Sequence, residues 1–281
     1  MKKIVEFKCA EPLIWQADEI VYLQKPYFCS STVRQLKMSF MTARKHFHYD
    51  KSVISPCIVF ICGGAFQMRD RNVWMPELVY YAKKGYAIAS VEYSVLPFTE
   101  FPEQLQELKY AIRFLRAHAE EFRINPDKIG VMGESAGGCL ATLVGTTSET
   151  KEFDVGGYLD QSSAVQAAVP WYSIARVSDV GRRERKLDKL PDDSLKIRVR
   201  LDNFPDATQY ITKNTPPFCI MHGDADELVP YKESDYLYEK LTKAEVDTEY
   251  YLIKNANHAD VQFAQPELKD HIVNFLDKYL K

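Results

Sequence analysis

One serine lies in a sequence setting that is typical of a nucleophile. Ser135 is the centre of Gly133-Glu134-Ser135-Ala136-Gly137, which matches the pattern G-x-S-x-G. An apolar run at 129–132 precedes the pattern, and an apolar helical stretch at 139–145 follows it. A sharp strand-to-helix turn of this kind exposes the serine hydroxyl, and glycines two residues to either side avoid crowding between the two elements. We therefore take Ser135 as the candidate nucleophile. The alternative is a glycine-rich turn in a parallel sheet.

A serine nucleophile needs a general base, and chain position reduces the six histidines to one candidate. In a site built on this turn, an acid and then a histidine follow the serine along the chain. Three histidines precede Ser135, His222 precedes the acidic loop, and His271 lies in the terminal amphipathic stretch 266–280. His258 remains, in a polar loop directly after an apolar run. Sites in α/β proteins form in loops at the carboxyl ends of strands, so His258 is the candidate base.

Three acidic residues compete for the carboxylate that would orient this histidine. Asp224, Asp226 and Glu227 all follow the apolar run 217–222. Their spacing does not separate them, and each could instead cap the next helix. Residue chemistry therefore predicts an acid in this loop without choosing among the three.

Backbone N–H groups that stabilise the negative charge on a substrate oxygen would complete such a site. The loop Cys62-Gly63-Gly64-Ala65-Phe66 follows the first apolar run, and its glycines allow the backbone to approach a substrate closely. The residue after the nucleophile is the other usual donor. We expect the N–H groups of Gly63, Gly64 and Ala136 to form this oxyanion hole.

The elements that must position these residues alternate between apolar runs and helical stretches. A period-two pattern over 33–40 and apolar runs at 57–62, 86–91, 128–132, 164–169, 217–222 and 248–253 predict strands. Helical spacing is clearest over 102–121, and Asn125-Pro126 predicts a turn into the next strand. Apolar strands alternating with helices indicate an α/β fold, in which helices cover a mostly parallel sheet on both faces. One domain, 1–281, accounts for the whole pattern.

A polar segment interrupts this alternation. Across 181–200 the chain carries eight basic and four acidic residues, between two apolar runs. Polar insertions of this kind supply lids over sites, so 172–215 is a candidate lid. A solvated excursion without a functional role is the alternative.

Composition and charge exclude several classes of protein. The 281 residues are 46% hydrophobic and 27% charged, which is typical of a globular chain, and the net charge of −3 offers no basic field to nucleic acid. No run of about 18 uncharged apolar residues predicts a membrane span, and Glu6 and Lys8 interrupt any leader-like apolar stretch. We expect a cytoplasmic protein without nucleic-acid or membrane partners. The six cysteines form no C-x-x-C pair, so buried thiols are expected rather than a disulfide framework.

A metal or cofactor is not expected either. His46 and His48 could share a metal on one face of a strand, but no third ligand is evident and the basic residues Arg44, Lys45 and Lys51 surround them. A hairpin tip is the preferred interpretation. Neither a phosphate-binding loop nor a dinucleotide pattern occurs in the sequence.

Together the motifs resemble the α/β-hydrolase esterases of the hormone-sensitive-lipase and acetyl esterase type, and more closely the bifunctional feruloyl and acetyl (xylan) esterases. The stretches that carry the resemblance are Cys62-Gly63-Gly64-Ala65-Phe66, Phe101-Pro102-Glu103-Gln104-Leu105, Gly133-Glu134-Ser135-Ala136-Gly137-Gly138, His222-Gly223-Asp224-Ala225-Asp226 with Val229-Pro230, and Asn257-His258. The resemblance implies an α/β-hydrolase fold and a cofactor-free serine hydrolase of small or acylated-carbohydrate esters. Its H-G-x-x-D-x-x-V-P pattern puts the acid at Asp226. In two places the chain departs from the family: Cys62 replaces the first histidine of the glycine motif, and Ala65 replaces its third glycine.

The resulting hypothesis is an esterase for short-acyl esters of small molecules or oligosaccharides, including feruloyl esters. Ser135 would attack the acyl carbon, His258 would carry the proton, and Asp226 would hold the imidazolium. An amidase or peptidase on the same three residues is one alternative. A binding protein on the hydrolase fold is another, for which Cys62 is the one hint. No feature of the sequence indicates an oligomeric state.

Overall fold

A computed structural model of the protein describes residues 1–8, 10–26, 33–45, 53–68, 70–96, 98–178 and 203–281. Eight strands in these ranges form one sheet. They are β1 Leu13–Pro26, β2 Val33–Arg44, β3 Ser55–Ile61, β4 Ala87–Val91, β5 Ile124–Glu134, β6 Ala167–Trp171, β7 Phe218–Gly223 and β8 Thr248–Ile253. The order across the sheet is β1-β2-β4-β3-β5-β6-β7-β8, and every pair from β4 to β8 is parallel. The predicted, mostly parallel sheet is therefore confirmed.

Helices alternate with the strands along the chain and cover both faces of the sheet. They are α1 Met75–Lys83, α2 Glu103–Ala117, α3 Ala119–Phe122, α4 Ala136–Thr146, α5 Lys232–Lys243 and α6 Pro266–Leu280, with short 3₁₀ turns at Ala207–Tyr210 and Val261–Ala264. Apolar side chains of α2, α4 and α5 share one core with Val59 and Ile61 of β3. Those of α1 and α6 share a second core with Ile58 and Phe60. Consecutive strand residues point to opposite faces, so the uninterrupted apolar run of β3 supplies both cores.

The N-terminal edge of the sheet contains a strand that the sequence patterns did not predict. β1 pairs antiparallel with β2, and of its residues only Tyr22 is buried. A strand that buries so little apolar surface shows almost no period-two signal. The predicted turn at Asn125-Pro126 is also wrong, because both residues lie in β5. The pairing of β3 with β5 is instead irregular there, between the Ser55–Ile124 and Cys57–Ile129 pairs.

The ends of the polar segment after β6 come together. The N–H of Ala207 donates to the carbonyl oxygen of Ala175 at 3.0 Å, and Arg176 pairs with Asp206 as an isolated bridge. Residues 179–202 lie outside the described residues, so the lid at 172–215 stays a prediction. His46 and His48 also lie outside them.

Four cysteines, Cys57, Cys62, Cys139 and Cys219, are free and buried, which confirms the expectation for these thiols. Cys9 and Cys29 fall outside the described ranges. No helix in the described parts of the chain has the length and apolar character needed to cross a membrane.

Candidate functional site

Ser135 lies at a sharp turn between a central strand and a helix. β5 ends at Glu134, α4 begins at Ala136, and Ser135 between them has φ 55° and ψ −122°. A positive φ is unfavourable for a residue with a side chain and persists only where the surrounding structure enforces it. Here the Ser135 N–H donates to the carbonyl oxygen of Trp171 in β6 at 3.1 Å. The turn leaves the serine half-buried at the carboxyl end of the sheet.

The two glycines of the pattern are required by close approach of backbone to backbone. A Cβ on Gly137 would clash with the carbonyl group of Ile61, the last residue of β3. A Cβ on Gly133 would clash with the carbonyl group of Gly137. The helix therefore packs directly against the sheet, as the sequence pattern predicted.

The structure brings Ser135, His258 and Asp226 into one chain of hydrogen bonds. With the proton of the imidazole on Nδ1, that nitrogen donates to Asp226 Oδ2 at 2.8 Å. The hydroxyl of Ser135 then donates to His258 Nε2 at 2.9 Å. The three residues come from the ends of β5, β7 and β8, because parallel strands place their carboxyl ends at the same edge of the sheet. A nucleophile in contact with a base that a carboxylate orients is the arrangement used for covalent acyl transfer.

The structure distinguishes the three acidic residues that were equal candidates for the acid by sequence. The side chain of Asp226 is 1% exposed and contacts His258. Asp224 is exposed and accepts the N–H of Asn255 at 2.6 Å, and Glu227 is exposed. Asn257 ties the acidic loop to the histidine loop, since its Oδ1 accepts the N–H groups of both Glu227 and His258.

The surroundings of Asp226 favour its charged form. Burial alone would raise the pKa of this carboxyl, but hydrogen bonds from His222, His258 and the Val229 N–H outweigh burial and hold the pKa well below its usual range. His222 is fully buried, and its Nδ1 lies 2.7 Å from Ser234 Oγ. Its Nε2 donates to the carbonyl oxygen of Val229 at 3.0 Å and lies 3.4 Å from Asp226 Oδ2. Asp226 is therefore ionised at neutral pH, next to the imidazole.

The other face of the imidazole packs against an aromatic ring. The Tyr172 ring lies 4.6 Å from the His258 ring in an edge-to-face arrangement, and Phe263 packs on Tyr172 at the same separation. This packing restricts the orientation of His258, so Nε2 stays directed at the serine.

The glycine loop requires one correction to the expected set of oxyanion donors. The N–H of Gly63 donates to a carboxylate oxygen of Glu134, so it is not free to bind a substrate oxygen. Gly64 N–H has no partner among the described residues, and neither does Ala65 N–H, the next along the loop. The N–H of Ala136 is one of the first in α4 and therefore has no partner within the helix. The candidate donors become Gly64, Ala65 and Ala136.

Sequence reasoning missed three residues around the site, namely Glu134, Tyr172 and His222. Glu134 occupies the variable position of G-x-S-x-G, and His222 is the first residue of H-G-x-x-D, so the motifs contained both. The part that these side chains play in the site is visible only from their contacts in the structure. Within the described ranges, no group of three or more His, Cys, Asp and Glu side chains is arranged to hold a metal ion.

The chain is similar in sequence to a protein family and to several esterases. A family model described as BD-FAE matches residues 47–241. The probable carboxylic ester hydrolase LipM of Mycobacterium tuberculosis is 29% identical over 202 residues, which cover 68% of this chain and 46% of LipM. The acetyl esterase of Salmonella paratyphi A is 22% identical over 294 residues, covering 94% of this chain and 88% of that esterase. The chain spans about half the length of the mycobacterial relatives that it matches.

Solved structures share the whole architecture. A truncated form of a carbohydrate esterase from gut microbiota has a TM-score of 0.73 at 22% identity, with 94% of this chain and 95% of that chain covered. MGS-M1, an α/β-hydrolase enzyme from a Medee basin deep-sea metagenome library, has a TM-score of 0.68 at 23% identity and coverages of 95% and 98%. Likeness at these identities shows the fold, and the predicted α/β-hydrolase fold is confirmed.

Proposed function

Because the chain belongs to the BD-FAE family, we propose that it is a serine carboxylic ester hydrolase acting on short-acyl, acetyl-type esters through an acyl-enzyme. The observation that carries the proposal is the hydrogen-bonded series Ser135–His258–Asp226. Similarity to LipM and to an acetyl esterase supports the ester as the reacting bond. Similarity to a carbohydrate esterase supports an acylated sugar as the substrate class.

The first half of the reaction forms the acyl-enzyme. Ser135 Oγ attacks the acyl carbon while its proton passes to His258 Nε2, and Asp226 stabilises the resulting imidazolium. The carbonyl oxygen becomes an anion that the N–H groups of Gly64, Ala65 and Ala136 would stabilise. The C–O bond to the alcohol then breaks, and the alcohol leaves with the proton from His258.

The second half returns the enzyme to its starting state. A water molecule gives a proton to His258 and attacks the acyl carbon, and the intermediate releases the carboxylic acid and restores the Ser135 hydroxyl. Every proton in both halves therefore moves through Nε2 of His258.

Initial rates on p-nitrophenyl acetate, butyrate and octanoate and on methyl ferulate test the proposal. We expect rates that fall with acyl length in the wild-type protein and drop about 10⁴-fold or more in Ser135→Ala. Ser162→Ala, which alters an exposed serine, serves as the matched control and should behave like the wild type. Hydrolysis of methyl ferulate would extend the substrate class to feruloyl esters.

Two outcomes would contradict the proposal. Equal, water-like rates for the wild type and Ser135→Ala would exclude an esterase. Faster turnover of the anilide of acetic acid than of its p-nitrophenyl ester would favour an amidase that uses the same residues.

A further inference from the structure

A buried carboxylate lies directly beneath the glycine loop. The Glu134 side chain is 6% exposed, immediately before Ser135 in the chain. Its Oε1 accepts the N–H of Gly63 and lies 3.7 Å from Cys62 Sγ, within reach of the thiol proton. A Cβ on Gly63 would collide with both carboxylate oxygens. The loop and the carboxylate are therefore in direct contact, and the glycine is needed for that contact.

The same carboxylate also faces the histidine side of the site. Among the described residues, the buried hydroxyl of Tyr172 has no hydrogen-bond partner, and burial together with the charge of Glu134 raises the pKa of this phenol well above its ordinary value. The ring of Tyr172 is the one that packs on His258. Glu134 thus contacts the glycine loop, and its charge acts on the tyrosine that packs against the imidazole.

The groups around Glu134 match a carboxylate, which only accepts hydrogen bonds. Burial raises the pKa of Glu134 above its ordinary value, although the hydrogen bonds from Gly63 and Cys62 and the charge of His258 partly oppose this rise. The Gly63 N–H and the Cys62 thiol both lie at Oε1. A carboxamide in the same place would lose the charge and replace the bond from Gly63 with a weaker neutral one.

Two other contacts of the glycine loop are hydrogen bonds between neutral groups, or involve a weak donor. The hydroxyl of Tyr93 donates to the carbonyl oxygen of Cys62 at 3.0 Å. The Cys62 side chain is a weak donor where the family motif has a histidine. A hydrogen bond to a charged group is about twice as strong as a neutral one, so we expect the bond from Gly63 to Glu134 to hold the loop more strongly than the bond from Tyr93.

We propose that Glu134 is a positioning residue, whose buried carboxylate holds Cys62 and Gly63 so that the N–H groups of Gly64 and Ala65 face the acyl oxygen bound at Ser135. This inference rests on the proposed ester hydrolysis. It assigns Gly63 to supporting the loop and leaves the next two residues to contact the substrate. Glu134 itself does not touch the reacting atoms.

The test compares Glu134→Gln with a matched control, Glu107→Gln. Glu107 is also buried, and it accepts from Lys25 at 2.7 Å, so its substitution removes the same charge elsewhere. For Glu134→Gln we expect kcat on p-nitrophenyl acetate to fall about 100-fold, because a displacement of about 1 Å in positioning has an effect of this size. KM should change less than about threefold, since the oxyanion contact forms only in the transition state. Glu107→Gln should keep the wild-type kcat.

Labelling of Ser135 by a fluorophosphonate probe provides a second readout that needs no ester turnover. The rate constant of labelling should fall in Glu134→Gln in parallel with kcat, since the phosphoryl oxygen of the probe accepts hydrogen bonds from the same N–H groups as the acyl oxygen. If the wild type is labelled but hydrolyses no ester, the proposed function fails, and the labelling rates alone decide the role of Glu134. A wild type that reacts with neither substrate nor probe overturns both.

Folding of the variants is checked by circular dichroism. If Glu134→Gln does not fold, Glu134→Asp keeps the charge but withdraws the carboxylate from Gly63, and we expect kcat to fall at least about tenfold at constant KM. A folded variant of either kind with wild-type kcat and labelling rate would overturn the inference. A fall in kcat/KM that comes wholly from a higher KM would also overturn the inference.

Discussion

Asp224, Asp226 and Glu227 are similar carboxylic acids within four positions, and the difference between them lies in their surroundings. Asp226 alone is covered, and its Oδ1 accepts the N–H groups of Leu228 and Val229 at 2.9 and 2.7 Å. These bonds fix one oxygen and leave the other directed at His258. The turn after β7 therefore distinguishes Asp226 as the proposed acid, through backbone geometry that residue type does not reveal.

Replacing this acid should disable the site while leaving its shape intact. In Asp226→Asn the amide would turn its N–H₂ toward His258 Nδ1 and favour the imidazole tautomer that carries its proton on Nε2, where it cannot accept from Ser135. We expect kcat on p-nitrophenyl acetate to fall about 10⁴-fold. Glu227→Gln, next in the chain but exposed, should keep kcat within about twofold of the wild type. Activity of Asp226→Asn within tenfold of the wild type would mean that another group orients the histidine.

The proposed roles of Ser135 and His258 follow from the sequence because the G-x-S-x-G pattern indicated one serine and chain order left one histidine. Asp226 could be selected only through the family pattern, since three carboxylates shared its loop. Glu134 could not be predicted, because its role depends on β3 and β5 lying side by side, which places the Gly63 N–H above its carboxylate. Contacts between adjacent parallel strands come from distant parts of the chain and leave no local pattern in the sequence.

Among the strands, too, only those with a local sequence pattern could be predicted. The central strands were predicted because burial on both faces requires continuous apolar runs. β1 was not, since its pairing with β2 depends on backbone hydrogen bonds and on half-exposed side chains. Asn125-Pro126 has the composition of a turn, yet it extends β5 where the partner strand is irregular.

The turn between β5 and α4 should not tolerate a methyl group at its second glycine. Gly137→Ala would drive Cβ into the Ile61 carbonyl group, and neither the strand nor the helix can retreat without losing core packing. We expect the free energy of unfolding, measured by urea denaturation, to fall by about 3 kcal/mol or more. Gly157→Ala, where the nearest atom is 3.2 Å away on the Tyr110 side chain, should cost less than about 1 kcal/mol. Equal costs for the two variants would show that the packing at the turn is looser than the structure indicates.

Helix α2 anchors the connection between α4 and β6 through three buried cations. Lys109 Nζ donates to the carbonyl oxygen of Thr147 at 2.8 Å and to Ser163 Oγ at 3.1 Å. Arg113 pairs with Asp154 at 2.9 Å, and Arg116 donates to backbone carbonyls further along. A connection without helix or strand of its own is thereby attached to the body of the molecule.

Lys109 should make stability depend on pH in the alkaline range. Burial lowers its pKa to about 8, below the ordinary value of 10.5. Between these two values the unfolded chain binds more protons than the folded one, so the contribution of Lys109 to stability increases as pH rises. The free energy of unfolding of the wild type minus that of Lys109→Met should increase by up to about 3 kcal/mol from pH 8 to pH 10.5. Urea denaturation of both proteins at three pH values measures this difference, and a flat or falling difference would contradict the prediction.

In the whole molecule, the proposed catalytic residues lie at one end of the sheet, and the ion pairs of the β1–β2 edge lie away from them. The glycine loop and the three proposed catalytic residues all follow the carboxyl ends of parallel strands. The antiparallel edge formed by β1 and β2 contributes none of them. It is linked to the rest through the segment that follows the glycine loop, where Arg71 is 8% exposed.

Arg71 joins three parts of this edge. Its guanidinium donates to Asp18 Oδ1 of β1 at 2.8 Å and to Ser39 Oγ of β2 at 2.8 Å, and it pairs with Glu19 and with Glu92, which follows β4. A hydrogen bond from Ser39 and the Arg71 guanidinium hold the pKa of Asp18 well below its usual range. Contacts with Lys37 and Arg71 lower the pKa of Glu19.

Arg71→Met should therefore destabilise the molecule at neutral pH and much less in acid. Carboxyls with a depressed folded pKa stabilise above the ordinary value of about 4, and that contribution disappears as pH falls through the folded pKa. At pH 7 we expect a loss of about 2–3 kcal/mol, between the values for exposed and buried ion pairs. The difference from the wild type, measured by urea denaturation at pH 7, 5 and 3, should narrow below pH 4. Lys83→Met, which breaks an exposed pair with Glu11, should cost less than about 0.5 kcal/mol throughout. A difference for Arg71→Met that does not vary with pH would show that the arginine stabilises this edge by packing rather than by charge.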